Sequence, residues 1–293
     1  MGVAARCLVL FTSFFFLIKA WSLPPIIAIG DLHGDYEGTL TLLKKAEIID
    51  EKLNWIGGNK ILVQLGDQID RGAGDKQILD LFEYLREEAP RFGGEVYPLI
   101  GNHEAMNVYG NFKYVFPEKA FHDFENFFSS APKNYVEKYK HYKRGRLHAF
   151  FPGGDYAKML SKRKAILKLG PYVFVHGGVL PKYARLGIEN LNREASQWME
   201  GKRKRPHWIT DSNGPLWVRY FSKNTTTSHC DMLKESLKIL GAKKMFVAHS
   251  VQENGINTAC EGRVVRTDTG ISSYYGGKKE AVLIEKGKLY RIN

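Results

Sequence analysis

The sequence predicts an α/β fold in which polar side chains collect at one edge of a sheet. Short apolar segments recur along the chain, and the first three each lead into a turn that begins with glycine and carries acids, asparagine or histidine. Segments with helical periodicity separate them. This alternation is typical of a βαβαβ unit, in which the carboxyl ends of parallel strands meet at one edge and present the functional groups there.

The first 22 residues are predicted to be a secretory signal peptide. Arg6 forms a short positive region, residues 7–18 form an apolar run, and Ala20-Trp21-Ser22 offers small residues for cleavage. The run is too short to span a bilayer, and the competing interpretation is an uncleaved anchor. We therefore expect a mature chain of residues 23–293 in the secretory pathway (the ER lumen, another endomembrane compartment or outside the cell), with no transmembrane segment. Removal of Arg6 and Lys19 would lower the formal net charge from +12 to +10.

The mature chain opens with an apolar strand, Ile26–Ile29, which leads into the turn Gly30-Asp31-Leu32-His33-Gly34. Asp31 and His33 alternate around a leucine, so both side chains point to one side of an extended turn. Alone, such a turn more often forms caps and local hydrogen bonds than a metal site. A helix is predicted next, from apolar residues at helical spacing: Leu40, Leu43 and Ala46.

The stretch Lys60–Gly72 predicts the second strand and the most polar of the turns. Its apolar part suits a buried strand, and the turn presents Asp67, Asp70 and Arg71 beyond the carboxyl end of that strand. One acid and one arginine could decorate a surface. Recurrence of the same pattern at other strand ends indicates chemistry instead.

A second helix and a third strand complete the βαβαβ unit. Asp75–Ala89 has apolar residues at helical spacing, and Val96–Ile100 is predicted to be a strand. That strand ends in Gly101-Asn102-His103-Glu104. The turn therefore adds an amide and an imidazole to the same edge of the sheet.

Two later strands each end in a histidine: Pro171–Val175 leads to His176, and Lys244–Ala248 leads to His249. A lone histidine at a strand end is more often structural than a ligand. With the first three turns, however, the set comprises carboxylate and amide oxygens and imidazole nitrogens without thiolate, which suits Mn²⁺, Fe or Zn²⁺. Six such groups suffice for two ions if one carboxylate bridges them, and two ions can clamp both oxygens of an in-line phosphoryl displacement.

Charge and cysteine content leave alternatives open. Lys and Arg are in surplus over residues 133–168 and 201–205, which predicts either a solvated basic face or an attraction for acidic phosphoproteins. No motif indicates nucleic-acid binding.

Cys230 and Cys260 either form a bridge in an oxidising lumen or are two buried free thiols. Asn224-Thr225-Thr226 is an acceptor sequence for an N-glycan, usable if the chain enters that lumen.

The ordered set of motifs resembles the phosphoprotein phosphatase superfamily. The matching segments are Gly30-Asp-x-His-Gly34, Gly66-Asp-x-x-Asp-Arg-Gly72, Gly101-Asn-His-Glu104, Val175-His-Gly-Gly178 and Ala248-His249. Four further segments resemble its bacterial-like branch, the Shewanella-like protein phosphatases: Glu104-Ala-Met-Asn107, Phe174–Pro181, Gly214-Pro-Leu-Trp-x-Arg219 and Asp268–Ser272. The resemblance covers nearly all of residues 25–293.

This resemblance implies the fold of the metallophosphatases, a β-sandwich of two mixed sheets flanked by helices with a dinuclear metal site at the strand ends. It implies a single metallophosphoesterase domain over residues 23–293, with a helix-rich insert at about residues 111–165. The insert is expected either to form a cap beside the site or to be an ordinary helical layer. The segment Ala281–Ile292 predicts a closing hairpin.

The resemblance also implies roles for the matching residues. Two divalent ions, expected to be Mn²⁺ with Fe or Zn²⁺ as alternatives, would be bound by Asp31 and His33 (first ion), Asn102, His176 and His249 (second ion) and Asp67 (both). His103, oriented by Asp70, would be the general acid that protonates the leaving oxygen. Arg71 and Arg219 would hold the phosphate. The implied reaction is hydrolysis of phosphomonoesters on phosphorylated proteins or peptides, by direct attack of a hydroxide that bridges the ions.

One departure from the superfamily bears on the substrate. Eukaryotic Ser/Thr members carry a Ser-Ala-Pro-Asn-Tyr loop near the C-terminus, whereas this chain has Thr267–Gly277 there. The choice between phosphotyrosine and phosphoserine or phosphothreonine therefore stays open. We expect Tyr274 and Tyr275 in this loop to pack against the protein rather than to line a groove for a phosphotyrosine ring.

Two other functions are weighed against a phosphoprotein phosphatase. Related folds share the first three motifs and hydrolyse small phosphate esters or dinucleoside polyphosphates, although Glu104, Met106 and Asn107 argue against that class. The third hypothesis is a non-catalytic interaction module that keeps the fold. It is disfavoured because every residue that the family needs is present.

Overall fold

The computed structural model describes residues 23–128 and 130–293, and within them ten strands form two five-stranded sheets. The predicted signal peptide and its apolar run lie outside the described residues. The strands are β1 (Ile26–Ile29), β2 (Ile61–Gln64), β3 (Glu95–Pro98), β4 (Ile166–Leu169), β5 (Tyr172–Val175), β6 (Lys244–Val247), β7 (Asn257–Ala259), β8 (Val264–Arg266), β9 (Ala281–Glu285) and β10 (Lys288–Ile292). The predicted strands and the closing hairpin are thus confirmed.

The helices of the described residues lie between and after these strands. They are α1 (Tyr36–Lys45), α2 (Asp75–Glu88), α3 (Asn102–Val108), α4 (Lys119–His122), α5 (Lys133–Val136), α6 (Arg144–Phe150), α7 (Asp155–Ser161), α8 (Pro181–Leu186), α9 (Ile188–Met199) and α10 (Thr227–Leu240). The helix predicted over Asp75–Ala89 ends at Glu88, and a 3₁₀ turn over Ala89–Phe92 follows because Pro90 cannot continue the α-helical hydrogen bonding.

Strand order brings the polar turns together. The first sheet runs β10-β9-β1-β2-β3, with β1, β2 and β3 parallel and Ile27 paired with Leu62. The second sheet runs β4-β5-β6-β8-β7, with β5, β6 and β8 parallel. Parallel strands end at the same edge, so the turns after β1, β2 and β3 meet the turns after β5 and β6.

Alternating apolar residues make the two sheets into a sandwich. On β1, Ile26 and Ala28 face the second sheet, where they share a buried cluster with Phe174 and Phe246. The intervening Ile27 and Ile29 join a separate cluster with α1 and α2. Because successive side chains of a strand point to opposite faces, this pattern places helices on the outside of the sheet. The predicted sandwich of two mixed sheets flanked by helices is confirmed.

The insert at residues 111–165 carries α4, α5, α6 and α7. Phe124, Phe150 and Leu160 are buried in the cluster that covers the outer face of the second sheet. The ring of Tyr114, by contrast, lies beside the polar turns, 5.1 Å between centroids from the His103 ring. The insert therefore combines both expected arrangements: it is a helical layer over the sheet, and one end of it borders the candidate site.

A disulfide joins Cys230 of α10 to Cys260, which follows β7. Of the two states that the sequence left open, the structure has the bridge and not the free thiols. The bond joins residues 30 positions apart in the sequence and links a surface helix to the edge of the second sheet.

In the described part of the chain, no helix has both the length and the apolar character needed to cross a bilayer.

Candidate active site

The turns after β1, β2, β3 and β6 open into a cavity of about 520 Å³. Eight of the ten residues predicted from the sequence line it: Asp31, His33, Asp67, Arg71, Asn102, His103, Arg219 and His249. The other two, Asp70 and His176, are fully buried directly behind it, where Asp70 contacts His103 and His176 contacts Asn102. The structure brings all ten together.

Five of these residues have a left-handed backbone: His33, Asp67, Asp70, Arg71 and His249 have φ between 46° and 71°. Such conformations are unfavourable for side chains other than glycine and are held only where the surroundings determine them. Gly101 contributes by its lack of a side chain, because a Cβ at this position would lie 2.2 Å from Asp67 Oδ1. Tight turns thus aim the side chains at one point.

Two groups of potential metal ligands overlap at Asp67. One comprises His33, Asp67 and His103, the other Asp67, His176 and His249, and within each group the donor atoms lie within 4.8 Å of one another. Asp67 Oδ2 is 3.2 Å from His176 Nε2, 3.9 Å from His33 Nε2 and 3.7 Å from His103 Nε2. Asp31 Oδ2 lies beside the first group, 3.7 Å from His33 Nε2.

Hydrogen bonds to the backbone orient two of the imidazoles. His176 Nδ1 is 2.9 Å from the Leu65 carbonyl oxygen, and His33 Nδ1 is 3.3 Å from the Ile69 carbonyl oxygen. A carbonyl can only accept, so Nδ1 carries a proton and Nε2 is the ring nitrogen that faces Asp67. This arrangement is the usual support for a metal-binding histidine.

The centre brings several potential metal-binding atoms close together. His176 Nε2 lies 2.8 Å from Asn102 Oδ1 and 3.0 Å from His249 Nδ1, and His249 Nε2 is buried without a hydrogen-bond partner among the described residues. Burial and the nearby His176 hold the pKa of His249 well below its usual value, which keeps that imidazole neutral. Neutral imidazoles and carboxylate oxygens are metal ligands, so the donor set fits divalent cations.

The acids of the site repel one another in the absence of a cation. Burial, Asp268 and Asp67 raise the pKa of Asp31 well above its usual value, and burial raises that of Asp268 to about 6. Asp67 behaves differently: burial favours its neutral form, but His176 and His103 outweigh burial and hold its pKa well below the usual value. A positive charge among these carboxylates would relieve their repulsion.

His103 and Asp70 form a buried pair. His103 Nδ1 lies 2.7 Å from Asp70 Oδ2, and the backbone N–H of His103 donates to Asp67 Oδ1 at 2.9 Å. Burial lowers the pKa of His103, but Asp67 and Asp70 outweigh burial and raise it to about 9. The imidazole therefore holds a proton at neutral pH while its Nε2 faces the cavity, which suits it to donate that proton.

The two arginines flank the cavity. The Arg71 guanidinium lies over the rings of Tyr114 (4.5 Å), Tyr274 (4.9 Å) and Tyr275 (5.5 Å). Arg219 Nη1 donates to Ser250 Oγ at 2.8 Å and to the His249 carbonyl oxygen. Both guanidinium groups border the space beside the carboxylate–imidazole cluster, where an oxyanion would fit.

The expectation that Tyr274 and Tyr275 pack against the protein is wrong. The two residues are 53% and 38% exposed; Tyr275 lines the cavity, and both rings contact the Arg71 guanidinium. The attraction between a guanidinium and aromatic faces keeps them there instead of in the apolar core. Tyr275 therefore forms part of the cavity wall, with the ring of Tyr274 packed against it.

Three buried charged residues at the site had no role in the sequence-based prediction. Glu104 accepts backbone N–H bonds from Asp67 (2.9 Å), Gln68 (2.8 Å) and Gly101 (2.7 Å). Asp268 lies beside Asp31, and Arg146 of α6 reaches Asp70 Oδ1 at 3.1 Å. Glu104 and Asp268 stand inside the family motifs, so the motif match was the available indication. Arg146 lies in the insert and outside every motif.

Residues 24–253 match the calcineurin-like phosphoesterase family. Shewanella-like protein phosphatase 2 of Arabidopsis thaliana is 33% identical over 280 residues, covering 84% of this chain and 71% of that protein. Shewanella-like protein phosphatase 1 of Plasmodium berghei (strain Anka) is 32% identical over 259 residues, covering 85% and 67%. A cold-active protein-tyrosine phosphatase of a psychrophilic Shewanella species has a solved structure that superposes with a TM-score of 0.76 at 27% identity, covering 92% of this chain and 78% of that one.

Substitution Glu104→Gln is expected to lower the free energy of unfolding by about 1–3 kcal/mol, because an amide nitrogen would then face buried backbone donors that it cannot accept from. Urea unfolding measures this change. Glu87→Gln, on an exposed position of α2, is the matched control and should leave the free energy unchanged. Equal stability of the two variants would contradict a structural role for Glu104.

Proposed function

The chain belongs to the calcineurin-like phosphoesterase family and, within it, to the Shewanella-like protein phosphatases, and on that premise we propose that it hydrolyses phosphomonoesters on protein side chains. Overlapping carboxylate–imidazole groups that share Asp67, with Arg71 and Arg219 beside them, support this function most directly. The relatives compared above are named protein phosphatases, which favours phosphoproteins over small phosphate esters or dinucleoside polyphosphates as substrates.

Two divalent ions are proposed as cofactors. Asp31, His33 and Asp67 would hold one, and Asp67 with Asn102, His176 and His249 would hold the other. Oxygen and imidazole donors without thiolate favour Mn²⁺, with Fe or Zn²⁺ as alternatives. When bound, the ions supply Lewis acidity toward the phosphoryl oxygens and a nucleophile for direct attack on phosphorus.

The residues around the ions are proposed to orient the ester and to move one proton. Arg71 and Arg219 would pair with equatorial phosphoryl oxygens, since guanidinium forks match phosphate geometry. As the bond between phosphorus and the ester oxygen breaks, the electron pair stays on that oxygen, which takes the Nε2 proton of His103. Asp70 would keep the His103 ring in the orientation that this transfer requires.

Phosphotyrosine is the proposed preferred substrate. Tyr114 and Tyr275 line the cavity beside Arg71, and an aromatic ring carrying a phosphate could stack against them while its phosphate meets the arginine. A protein-tyrosine phosphatase among the similar structures supports the same choice. An aliphatic phosphoserine or phosphothreonine would leave those aromatic faces uncovered.

Phosphate release by residues 23–293, reconstituted with Mn²⁺, should be faster from a phosphotyrosine peptide than from the same peptide carrying phosphothreonine. Ring stacking of about 0.5–1.5 kcal/mol corresponds to roughly 2- to 10-fold in kcat/KM. Double substitution Tyr114→Ala and Tyr275→Ala should remove most of that preference. A preference for phosphothreonine would refute the proposed specificity, and hydrolysis of diadenosine tetraphosphate in preference to both peptides would support the small-ester alternative.

Substitutions at Asp67 and Arg71 should separate metal binding from phosphate binding. Asp67→Asn should weaken metal binding and lower kcat by on the order of 10³-fold or more, because the shared ligand loses its charge. Arg71→Ala should keep the metal and lower kcat/KM by about 10- to 100-fold, the equivalent of one or two charge-assisted hydrogen bonds. Metal content by mass spectrometry and steady-state kinetics measure both effects.

Asp231→Asn, on an exposed position of α10, is the control for a lost carboxylate and should change neither quantity. Full activity in Asp67→Asn, or metal loss in Arg71→Ala, would refute the role assigned to that residue.

A secretory location is proposed together with an N-glycan at Asn224. The disulfide between Cys230 and Cys260 supports an oxidising compartment, where disulfides persist. Asn224 is exposed and lies at the rim of the catalytic cavity. A glycan there would stand beside the path of a protein substrate.

Expression of residues 1–293 in animal cells should therefore give a protein whose electrophoretic mobility increases after treatment with an N-glycosidase. Asn224→Gln should abolish this change, whereas Thr226→Ser keeps the acceptor sequence and should retain it. A chain that stays unglycosylated in the cytosol would contradict both the signal peptide and the glycan.

A further inference from the structure

Arg146, on α6 of the insert, is fully buried and surrounded by aromatic rings. Its guanidinium carbon lies 5.0 Å from the ring centroid of Phe124 and 5.1 Å from that of Phe150. A charge in such surroundings is costly unless it is paired and hydrogen-bonded on all sides. The partners of Arg146 therefore indicate why the charge is there.

Those partners belong to the site and not only to the insert. Arg146 Nη2 lies 3.1 Å from Asp70 Oδ1 and forms an ion pair with Asp75 Oδ2 at 2.7 Å. Arg146 Nε donates to Asn107 Oδ1 at 2.7 Å, and Nη1 donates to the Ala120 carbonyl oxygen at 3.1 Å. One side chain thus joins the turn after β2, the start of α2, α3 and the insert.

The two oxygens of the Asp70 carboxylate accept hydrogen bonds from different groups. Oδ1 accepts from Arg146 and from Asn107 Nδ2 (3.0 Å), which leaves Oδ2 for His103 Nδ1 at 2.7 Å. With both oxygens engaged, the carboxylate cannot rotate away from His103. The orientation of the His103 ring is consequently fixed through Asp70 by a residue of the insert.

The charges of the two acids beside Arg146 also indicate that it holds Asp70 in place. Asp70 and Asp75 are both fully buried, and the backbone N–H of Asp70 donates to Asp75 Oδ1 at 2.9 Å. Two carboxylates this close repel each other in an apolar interior, and Arg146 is the cation that pairs with both. Without it, Asp70 would turn toward other donors or take up a proton, and either change would release His103.

We propose that Arg146 is a positioning residue for the proton transfer to the leaving oxygen, acting through Asp70 on His103. The inference rests on the proposed function and deepens it, because it makes the insert a necessary part of the reaction. No motif of the sequence contains Arg146, and nothing in the ligand clusters at Asp67 requires it.

The test compares two aryl phosphates with different leaving groups. Phenol, like the tyrosine side chain, has a pKa near 10 and needs a proton as it departs, whereas p-nitrophenol is far more acidic and departs as an anion. Arg146→Gln should lower kcat for phenyl phosphate about 10- to 100-fold more than kcat for p-nitrophenyl phosphate, within the roughly 10²–10⁴-fold that a positioned general acid supplies. Arg146→Lys, which keeps the charge, should restore part of the loss.

Arg163→Gln is the matched control. Arg163 is another buried arginine of the insert; it pairs with Glu83 at 2.9 Å and donates to Gln68 Oε1 at 2.7 Å, but among the described residues it forms no hydrogen bond with Asp70 or His103. Its substitution should lower stability but change kcat for the two esters by the same factor. If Arg146→Gln does not fold, the same comparison is made with Arg146→Lys, whose selective loss on phenyl phosphate supports the proposal and whose equal loss on both esters overturns it.

A His103→Ala background separates this inference from the proposed function. If His103→Ala lowers kcat selectively for phenyl phosphate and Arg146→Lys adds no further selective loss, the two residues act in one step and the proposal stands. If Arg146→Lys has the same effect with and without His103, the proposal fails while the phosphatase function stands. Absence of phosphate release from either ester by the unsubstituted protein refutes the proposed function, and the inference with it.

Discussion

The Asp67 carboxylate lies buried between three imidazoles, and the position of the other groups depends on it. Its Oδ1 accepts the backbone N–H of His103, while its Oδ2 faces both groups of potential metal ligands. Glu104 holds the turn that carries it by accepting three backbone N–H groups. The buried Glu104 carboxylate therefore holds the buried Asp67 carboxylate in place. Two buried carboxylates this close are stable only with hydrogen-bond donors and cations nearby.

The sandwich explains why these groups meet although they are far apart in sequence. The first sheet supplies the turns with Asp31, Asp67 and Asn102, and the second supplies His176 and His249. The group of His33, Asp67 and His103 lies on the first sheet alone, whereas the group of Asp67, His176 and His249 needs both sheets. Packing of the two inner faces, which is apolar and independent of the chemistry, brings the two sets of strand ends within a few ångströms of each other.

The sequence predicted the strand ends well because each is marked by an apolar run followed by polar residues, with a glycine before them at the first three strand ends. It could not predict Arg146, whose role depends on a helix of the insert passing behind the β2 turn, a tertiary contact with no local pattern. It also gave the wrong environment for Tyr274 and Tyr275. Aromatic residues are usually core, whereas these two rings contact the guanidinium of Arg71 and, for Tyr275, the ring of His33. The left-handed backbone conformation of five site residues could not be predicted from the sequence either, because the turns impose it against the local preference of those residues.

The position of β1 within its sheet has a consequence for how the protein is made. β1 pairs on one side with β2 and on the other with β9, so that Ile26 lies opposite Ile284. A ribosome releases Ile26 long before Ile284, and the first sheet cannot close until the late strand has emerged. Until then one edge of β1 presents unpaired N–H and C=O groups, a template for pairing with another chain. The pairing of β1 with β9 is thus a contact of high sequence separation, the kind that slows folding and leaves a strand edge open in the meantime.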